Sequence, residues 1–157
     1  MFTARSGHTA IYEPSKKKII VFGGYTGTEV LNDISFFDVI ENSWQNLSMS
    51  EEEIVLGPKA RTSHAACLDE ETCDKFYIFG GSGKNIGFEN YNDLWYFDLI
   101  TLKFTAILVG KDSAFRPPGM YGHSLNYISG ALYVFGGTTG FEYFKDIFKF
   151  DLYSHTW

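Results

Sequence analysis

The sequence lacks the features that mark secreted and membrane proteins. It has two cysteines, Cys67 and Cys73, whereas small secreted scaffolds usually carry four or more. No apolar run approaches the roughly 18 residues of a membrane span. The residues after Met1 also contain no apolar core of a signal peptide. These features predict a cytoplasmic protein in a reducing compartment that does not act on membranes.

The chain is also poor in positive charge. Its 13 Lys and Arg are outnumbered by 19 Asp and Glu, which gives a net charge of −6. Binding to a phosphate backbone depends mainly on Lys and Arg, and the one basic run, residues 16–18, is typical of a solvated loop end. Nucleic-acid binding is therefore not expected. A hydrophobic content of 45% with 18% aromatic residues indicates a globular domain with a substantial core.

Five landmarks recur three times in the same order. The segment Ile20–Gly24 returns as residues 77–81 and 133–137, and the other landmarks keep intervals of 53 to 60 residues. The landmarks are an Arg-x-x-His lead-in (Arg5, His8; Arg61, His64; His123), a double glycine (Gly23, Gly24; Gly80, Gly81; Gly136, Gly137), two aspartates around a third apolar run (Asp33, Asp38; Asp93, Asp98; Asp146, Asp151) and a closing aromatic residue (Trp44, Phe104, Trp157). Such a set indicates three structural repeats.

This ordered set resembles the kelch repeat, and the resemblance covers essentially the whole chain. The third copy departs from the pattern, because Met120 replaces the arginine and Lys145 replaces the asparagine before the aspartate. The resemblance implies an all-β fold, a partial β-propeller of three four-stranded antiparallel blades. We expect one propeller portion over residues 1–157, with blades at about 5–48, 61–109 and 120–157.

The residue pattern predicts the same strands without the family. Each repeat holds four short runs rich in Phe, Tyr, Ile and Val, separated by turn residues. The run 94–98 is apolar on both faces, as a blade pressed between two others requires, and the double glycines close each second run as structural residues. The predicted strands are 8–12, 18–22, 34–38, 43–47, 63–68, 75–79, 94–98, 102–109, 122–128, 131–135, 147–151 and a stub at 155–157.

Three blades do not close a propeller, which needs roughly four to eight. The outer faces of the terminal blades therefore require a cover. The chain is a fragment whose remaining blades lie elsewhere in the same protein, or two copies form a six-bladed ring as a homodimer, or another partner caps it. An end at Trp157, soon after the fourth strand of blade 3 begins, favours the fragment. The start at a repeat resembles kelch-first proteins, which include propellers that precede a phosphatase domain.

The recurrent histidines and aspartates are predicted to be structural. Three histidines could suggest a metal site, but one per blade places them around a ring. The aspartate pair also recurs in each blade, which argues against a unique acid–base site and favours capping of turns. Ser50 and Glu53 resemble a helix capping box, but Gly57–Pro58 follows so closely that we expect only a local turn.

Kelch-fold proteins include a copper enzyme of the galactose oxidase type, which gives the alternative function. Its chemistry relies on a tyrosine cross-linked to a cysteine, with further Tyr and His ligands, and no such set is recognisable here. Cys67 aligns with the core position Ile11, and Cys73 falls in a turn. We therefore predict no enzyme activity, no metal and no cofactor.

The long loops after the second and fourth strands are the expected binding surface, because long loops on a rigid scaffold usually carry recognition. Kelch propellers commonly bind peptides or protein surfaces there, as the resemblance implies. Tyr91 and Tyr143 also lie in these loops but can pack into their blades instead. The candidate contact residues are Tyr25, Thr26, Thr28, Lys84, Asn85, Phe88, Arg116, Thr139 and Phe141. The predicted function is a protein-interaction module, an adaptor or regulatory part of a multidomain protein.

Overall fold

Each repeat folds into its own antiparallel sheet, here called blades 1, 2 and 3. The computed structural model describes residues 2–157. Blade 1 contains β1 (Thr9–Glu13), β2 (Lys18–Tyr25), β3 (Val30–Asp38) and β4 (Ser43–Asn46). Blade 2 contains β5 (Ala65–Leu68), β6 (Lys75–Phe79), β7 (Leu94–Asp98) and β8 (Lys103–Ile107). Blade 3 contains β9 (Tyr121–Ile128), β10 (Ala131–Thr138) and β11 (Ile147–Asp151).

The strands follow one another through each sheet in sequence order, and β5 contacts both β1 and β9 at the inner side of the blades. In blade 3 a single bridge between Asp151 and Thr156 stands where a fourth strand would lie, as expected for a stub. The fold of residues 2–157 is all-β apart from one short helix, and its three sheets do not close into a ring. The partial propeller predicted from the sequence is therefore confirmed.

The predictions at two of the double glycines and at Ser50 were wrong. The first double glycine does not end β2, because the strand continues through a bulge between Phe22 and Gly24 and pairs again as far as Tyr25 with Val30. The third does not end β10, which continues to Thr138 and pairs there with Tyr121. Ser50 does not begin a mere turn, because residues Glu51–Leu56 form a short helix, α1. Its capping box is complete. The three glutamates of the first turn lie at the positive end of the helix dipole, which stabilises the helix.

The hydrophobic core lies between blades. We call the face of a blade that packs on the following blade its trailing face, and the opposite one its leading face. The core between blades 1 and 2 joins trailing residues Ile11, Ile20, Phe22 and Ile34 to leading residues Phe76, Ile78, Phe97 and Leu99. The core between blades 2 and 3 joins Tyr77, Phe79, Leu94 and Ile107 to Leu125, Tyr127, Leu132, Val134 and Phe150.

The double glycines join consecutive blades through the main chain. The N–H of Gly24 donates to the carbonyl of Arg61 at 2.9 Å, and that of Gly81 donates to the carbonyl of Met120 at 2.8 Å. Gly81 has φ +98°, and a Cβ there would lie 2.7 Å from Cβ of His64. Only glycine permits this approach without strain.

The histidines close the same junctions. Nε2 of His64 hydrogen-bonds the hydroxyl of Thr9 at 2.9 Å, and Nε2 of His123 donates to the carbonyl of Phe79 at 3.1 Å. Burial lowers the pKa of His64 to about 3, with the Arg61 charge adding to the effect. Burial also lowers the pKa of His123 to about 4. Both rings are therefore neutral structural groups near pH 7.

The aspartates divide into two roles, and one differs from the prediction. Asp38, Asp98 and Asp151 do cap turns, since each carboxylate accepts two backbone N–H bonds from the residues that follow. The prediction of turn capping was wrong for Asp33 and Asp93. Asp93 instead pairs through both oxygens with the buried guanidinium of Arg61, at 2.7 and 2.8 Å.

The Arg61 side chain also donates to the carbonyl of Gly80, and its guanidinium lies 4.6 Å from the centre of the Tyr91 ring. Arg5 and Asp33 repeat the pair in blade 1. Burial raises the pKa of Asp93, but hydrogen bonds from Arg61 and Trp95 outweigh it and hold that pKa below its usual value. In blade 3 the buried Met120 stands at the arginine position, and within residues 2–157 Asp146 forms no ion pair.

The trailing face of blade 3 is exposed. Phe22 and Phe79 are at most 1% exposed, whereas the equivalent Phe135 is 53% exposed. Ile34 and Leu94 are at most 2% exposed, whereas the equivalent Ile147 is 66% exposed. In the part of the chain that the structure describes, no helix has the length and apolarity to cross a membrane.

Candidate interaction surface

The first candidate loop uses its side chains in its own turn. Tyr25 pairs with Ser6, and its hydroxyl donates to the carbonyl of Gly27 at 2.6 Å. The Thr26 hydroxyl accepts from the N–H groups of Thr28 and Glu29. These residues therefore shape the β2–β3 turn more than they offer free groups.

The structure brings two candidates from different blades together. Phe88, from the loop between β6 and β7, lies 6.2 Å from Phe141, from the loop between β10 and β11, measured between ring centres in an edge-to-face arrangement. Their exposures are 82% and 83%, and Tyr143 in the second loop is 89% exposed. We call Phe88 and Phe141 the aromatic patch; Tyr143 and the half-exposed Ile86 lie in the same two loops. Tyr143 does not pack into its blade.

A side-chain hydrogen bond and a close backbone approach hold the two loops together next to this patch. The side-chain amide of Asn90 donates to the carbonyls of Gly87 at 3.1 Å and Thr139 at 2.7 Å. A Cβ on Gly140 would lie 2.9 Å from the carbonyl oxygen of Gly87, so the glycine allows a close approach. The Thr139 hydroxyl accepts from the N–H of Phe141. The patch therefore stands on tied loops rather than on free ones.

Lys84 and Thr28 line a different feature, a cavity of about 350 Å³ between the loops of blades 1 and 2. Its wall includes Tyr91, whose hydroxyl donates to the Glu89 carboxylate at 3.0 Å. Burial raises the pKa of Tyr91 to about 12, and this hydrogen bond adds to the rise. Tyr91 thus packs into its blade beneath Arg61, so it contributes to the cavity wall and not to the aromatic patch.

The remaining candidates make local contacts. The carbonyl of Asn85 accepts from the N–H groups of Phe88 and Glu89 and closes their turn. Arg116 is exposed and donates to the carbonyl of Val109 in its own loop at 3.3 Å. The candidates therefore fall into one aromatic patch, one small cavity and several isolated positions.

The groups that could carry chemistry are dispersed or unreactive. Among residues 2–157 no three His, Cys, Asp or Glu side chains are grouped so that they could hold a metal ion. Burial raises the pKa of the Cys67 thiol to about 12, with Glu70 and Asp69 adding to it. A thiol of that pKa is a poor nucleophile near neutral pH. The geometry is that of a packed scaffold with exposed loops.

Known families were compared with this chain, and the match agrees with the kelch-like repeats that the Arg–Asp pairs, double glycines and sheets indicate. The family model of the KLHDC2/KLHL20/DRC7 Kelch-repeats domain matches residues 1–157. The chain belongs to the kelch-repeat family. Kelch proteins among the curated relatives include Kelch domain-containing protein 10 of Rattus norvegicus, which is 38% identical over 51% of this chain and 19% of its own length.

Two other kelch proteins match over nearly the whole chain. Kelch domain-containing protein 10 of Xenopus tropicalis is 27% identical over 98% of this chain and 38% of its own length. The Rab9 effector protein with kelch motifs of Xenopus laevis is 25% identical over 93% of this chain and 53% of its own length. The matched region thus spans from about a fifth to about half of these relatives.

Sequence reasoning named both phenylalanines of this kelch chain but missed what brings them together. Asn90 and the glycines Gly87 and Gly140 were not among the candidates. A usable signal was present, because both long loops carry a glycine close to an exposed aromatic residue, and such glycines allow tight turns and close backbone contact.

Proposed function

We propose that this kelch chain is a protein-interaction module whose aromatic patch contacts a protein or peptide partner. The observation that carries the proposal is the exposed pair Phe88 and Phe141, held together on tied loops from two blades. Exposed large aromatics are favoured as interface anchors, and tied loops lose little conformational freedom on binding. An apolar segment of the partner would cover the two rings.

The surroundings of the patch favour binding over catalysis. The Asn90 amide and the Thr139 carbonyl are engaged in joining the loops, and the Thr139 hydroxyl accepts from the N–H of Phe141 within its own loop. Kelch relatives that match this chain include one named as an effector protein. We infer a role as an adaptor or regulatory part of a longer protein, in the cytoplasm, with residues 1–157 forming one propeller portion.

Affinity capture with a matched pair of variants tests this proposal. The variant Phe88→Ser/Phe141→Ser removes the patch. The control Leu108→Ser/Tyr153→Ser removes exposed apolar side chains elsewhere, at 77% and 97% exposure. We expect proteins captured by the wild type to be retained by the control and lost by the patch variant.

A purified partner then gives the quantitative result. Isothermal titration should show that the patch variant binds at least about tenfold more weakly, or about 1.4 kcal/mol, while the control binds as the wild type does. Equal binding by both variants would show that the patch is not the contact surface.

The trailing face of blade 3 supports a second proposal, that a further kelch blade covers it. The same face of blades 1 and 2 is buried by the next blade, and Phe135 and Ile147 occupy the equivalent exposed positions. A second copy would have to present its blade 1, where the Phe2 ring already stacks on Trp44 at 3.8 Å. A ring closed by further blades of the same chain would have to accommodate this contact as well, so the mass in solution separates the two arrangements.

Sedimentation of the 157-residue chain tests the uncovered face. We expect the wild type to self-associate with rising concentration, and Phe135→Ser/Ile147→Ser to remain a monomer. A defined dimer whose mass is unchanged in this variant would point to another interface, and a wild type that stays monomeric would remove the need for a cover.

A further inference from the structure

A groove of about 570 Å³ lies at the outer side of the junction between blades 1 and 2. The turn between β1 and β2 and the turn between β7 and β8 contribute to its wall. Its lining is apolar where the blades meet and polar at the rim, and shares no residue with the aromatic patch. We call it the junction groove. Its main apolar lining residues are Ile20, Phe36, Leu47, Leu99 and Leu102.

The repeat explains why this junction is open. Between blades 2 and 3, the Tyr77 and Tyr127 rings stack with centres 5.9 Å apart, and the Tyr77 hydroxyl donates to Asp69 at 3.1 Å. Tyr77 precedes its double glycine by three residues, as Ile20 precedes its own. Tyr127 pairs with Leu132 in the same register as Leu68 pairs with Phe76. Two aromatic rings at one junction are thus replaced by Ile20 and Leu68 at the other.

The rim of the groove offers positive charge. Lys16 and Lys18 both line it, and the Lys16 ammonium donates to the carbonyl of Leu99 at 2.8 Å. The Glu13 carboxylate lies in the same wall, but it accepts hydrogen bonds from the N–H groups of Ser15 and Lys16. The carboxylate is thus engaged in its own turn, and the positive charge of the rim comes from Lys18 and from Lys16, which its bond to Leu99 holds in place.

We propose that the junction groove binds an extended segment of a partner protein that inserts an aromatic side chain between blades 1 and 2. Acidic residues of that segment lie beside Lys16 and Lys18. The inserted ring takes the space that Tyr77 fills at the next junction, and apolar side chains of both blades cover it. This second surface can be engaged whether or not the aromatic patch binds a partner.

Selection from a phage library of random dodecapeptides tests the proposal on the purified protein. Recovered peptides are synthesised with a fluorescent label, and their affinities are measured by polarisation. We expect peptides with one aromatic residue flanked by Asp or Glu. Replacing that aromatic residue by Ala should weaken binding at least about tenfold.

Two variants locate the site. Ile20→Tyr builds into the groove the residue found at the next junction, with Glu13 placed as Asp69 is for the Tyr77 hydroxyl, and should weaken binding at least about tenfold. Lys18→Glu should weaken it about fivefold. Lys75→Glu makes the same charge change at the equivalent position of blade 2 and should have no effect, since Lys75 does not line the groove.

Thermal melting checks that Ile20→Tyr folds. If it does not, Leu102→Trp narrows the groove from a partly exposed rim position and should reduce binding in the same way. Peptides that bind the filled variant as tightly as the wild type would overturn the proposal. So would a selection whose binders lack aromatic residues, or one that yields no binder with a Kd below about 100 μM.

Discussion

The buried histidines predict a loss of stability in weak acid. The pKa of His64 is lowered to about 3 and that of His123 to about 4, against 6.5 for an ordinary histidine. Because the folded pKa lies below the unfolded value, the unfolded chain takes up the protons first as the pH falls. The stability is therefore fully present above pH 6.5 and is lost as the pH falls towards the folded values.

The size of the effect follows from proton linkage. Between pH 7 and pH 5 each ring costs about 2 kcal/mol, so the two together cost about 4 kcal/mol, a large part of a typical domain's stability. The carboxylates with lowered pKa values, such as Asp93 and Glu13, act mostly below pH 5, since their ordinary values are 3.8 and 4.5. The interval from pH 7 to 5 therefore isolates the histidines.

Urea unfolding at several pH values, followed by tryptophan fluorescence, measures the effect. His64→Gln keeps a neutral hydrogen-bonding side chain and should halve the loss between pH 7 and pH 5. His64→Gln/His123→Gln should nearly abolish it. A double variant whose free energy of unfolding falls with pH as steeply as that of the wild type would refute the role given to these rings.

Three further predictions concern the Arg61–Asp93 ion pair, the glycine junction and the exposed blade face. Arg61→Met removes a fully buried guanidinium and the bonds that it donates to Gly80 and Asp93, but the Asp93 side chain is 39% exposed and stays partly hydrated, so the change should cost about 2 kcal/mol by urea unfolding. A loss below about 0.5 kcal/mol would contradict a structural role for the pair. Gly81→Ala should cost at least about 2 kcal/mol because its Cβ meets neighbouring backbone atoms, whereas Gly27→Ala, with similar φ but open space, should cost about 1 kcal/mol. Equal losses of stability in the two variants would show that the cost comes from the positive φ alone and not from the close contacts of the added Cβ. Phe79→Ala should cost about 3 to 5 kcal/mol in thermal or urea unfolding, and the equivalent Phe135→Ala less than about 1 kcal/mol; similar losses would mean that the blade 3 face is covered.

Much of the fold could be predicted from the sequence because the repeat marks it three times. The strands β6, β7 and β11 begin and end where the pattern predicts. Runs that are apolar on both faces, as in β7, require neighbours on both sides, and the structure has them. The extensions of β2 and β10 past their glycines were missed, because glycine permits either a strand end or a continued strand.

The ion pairs Arg5–Asp33 and Arg61–Asp93, in which only the arginine is buried, could also have been predicted. Repeats 1 and 2 carry both the arginine and the aspartate at matching positions, and a charge that recurs with its opposite inside a repeat suggests contact. Turn chemistry alone predicted that both aspartates of each repeat cap turns. That prediction was right only for the second aspartate of each repeat.

The aromatic patch and the junction groove could not be predicted in the same way. The loops that carry Phe88 and Phe141 differ in length and sequence, so no repeat fixes where their tips meet. The groove depends on the difference between Ile20 and Tyr77 at one register position. Both residues fit a strand equally well, and only the packed blades show that one fills its junction and the other leaves space.

The glycine junction has a consequence for how such chains diversify. The bond from each of the first two double glycines reaches a peptide carbonyl of the next blade, and that carbonyl belongs to Arg61 in one case and to Met120 in the other. A hydrogen bond between peptide groups does not depend on the side chain of the accepting residue. That position can therefore vary from one repeat to the next without loss of this bond between blades.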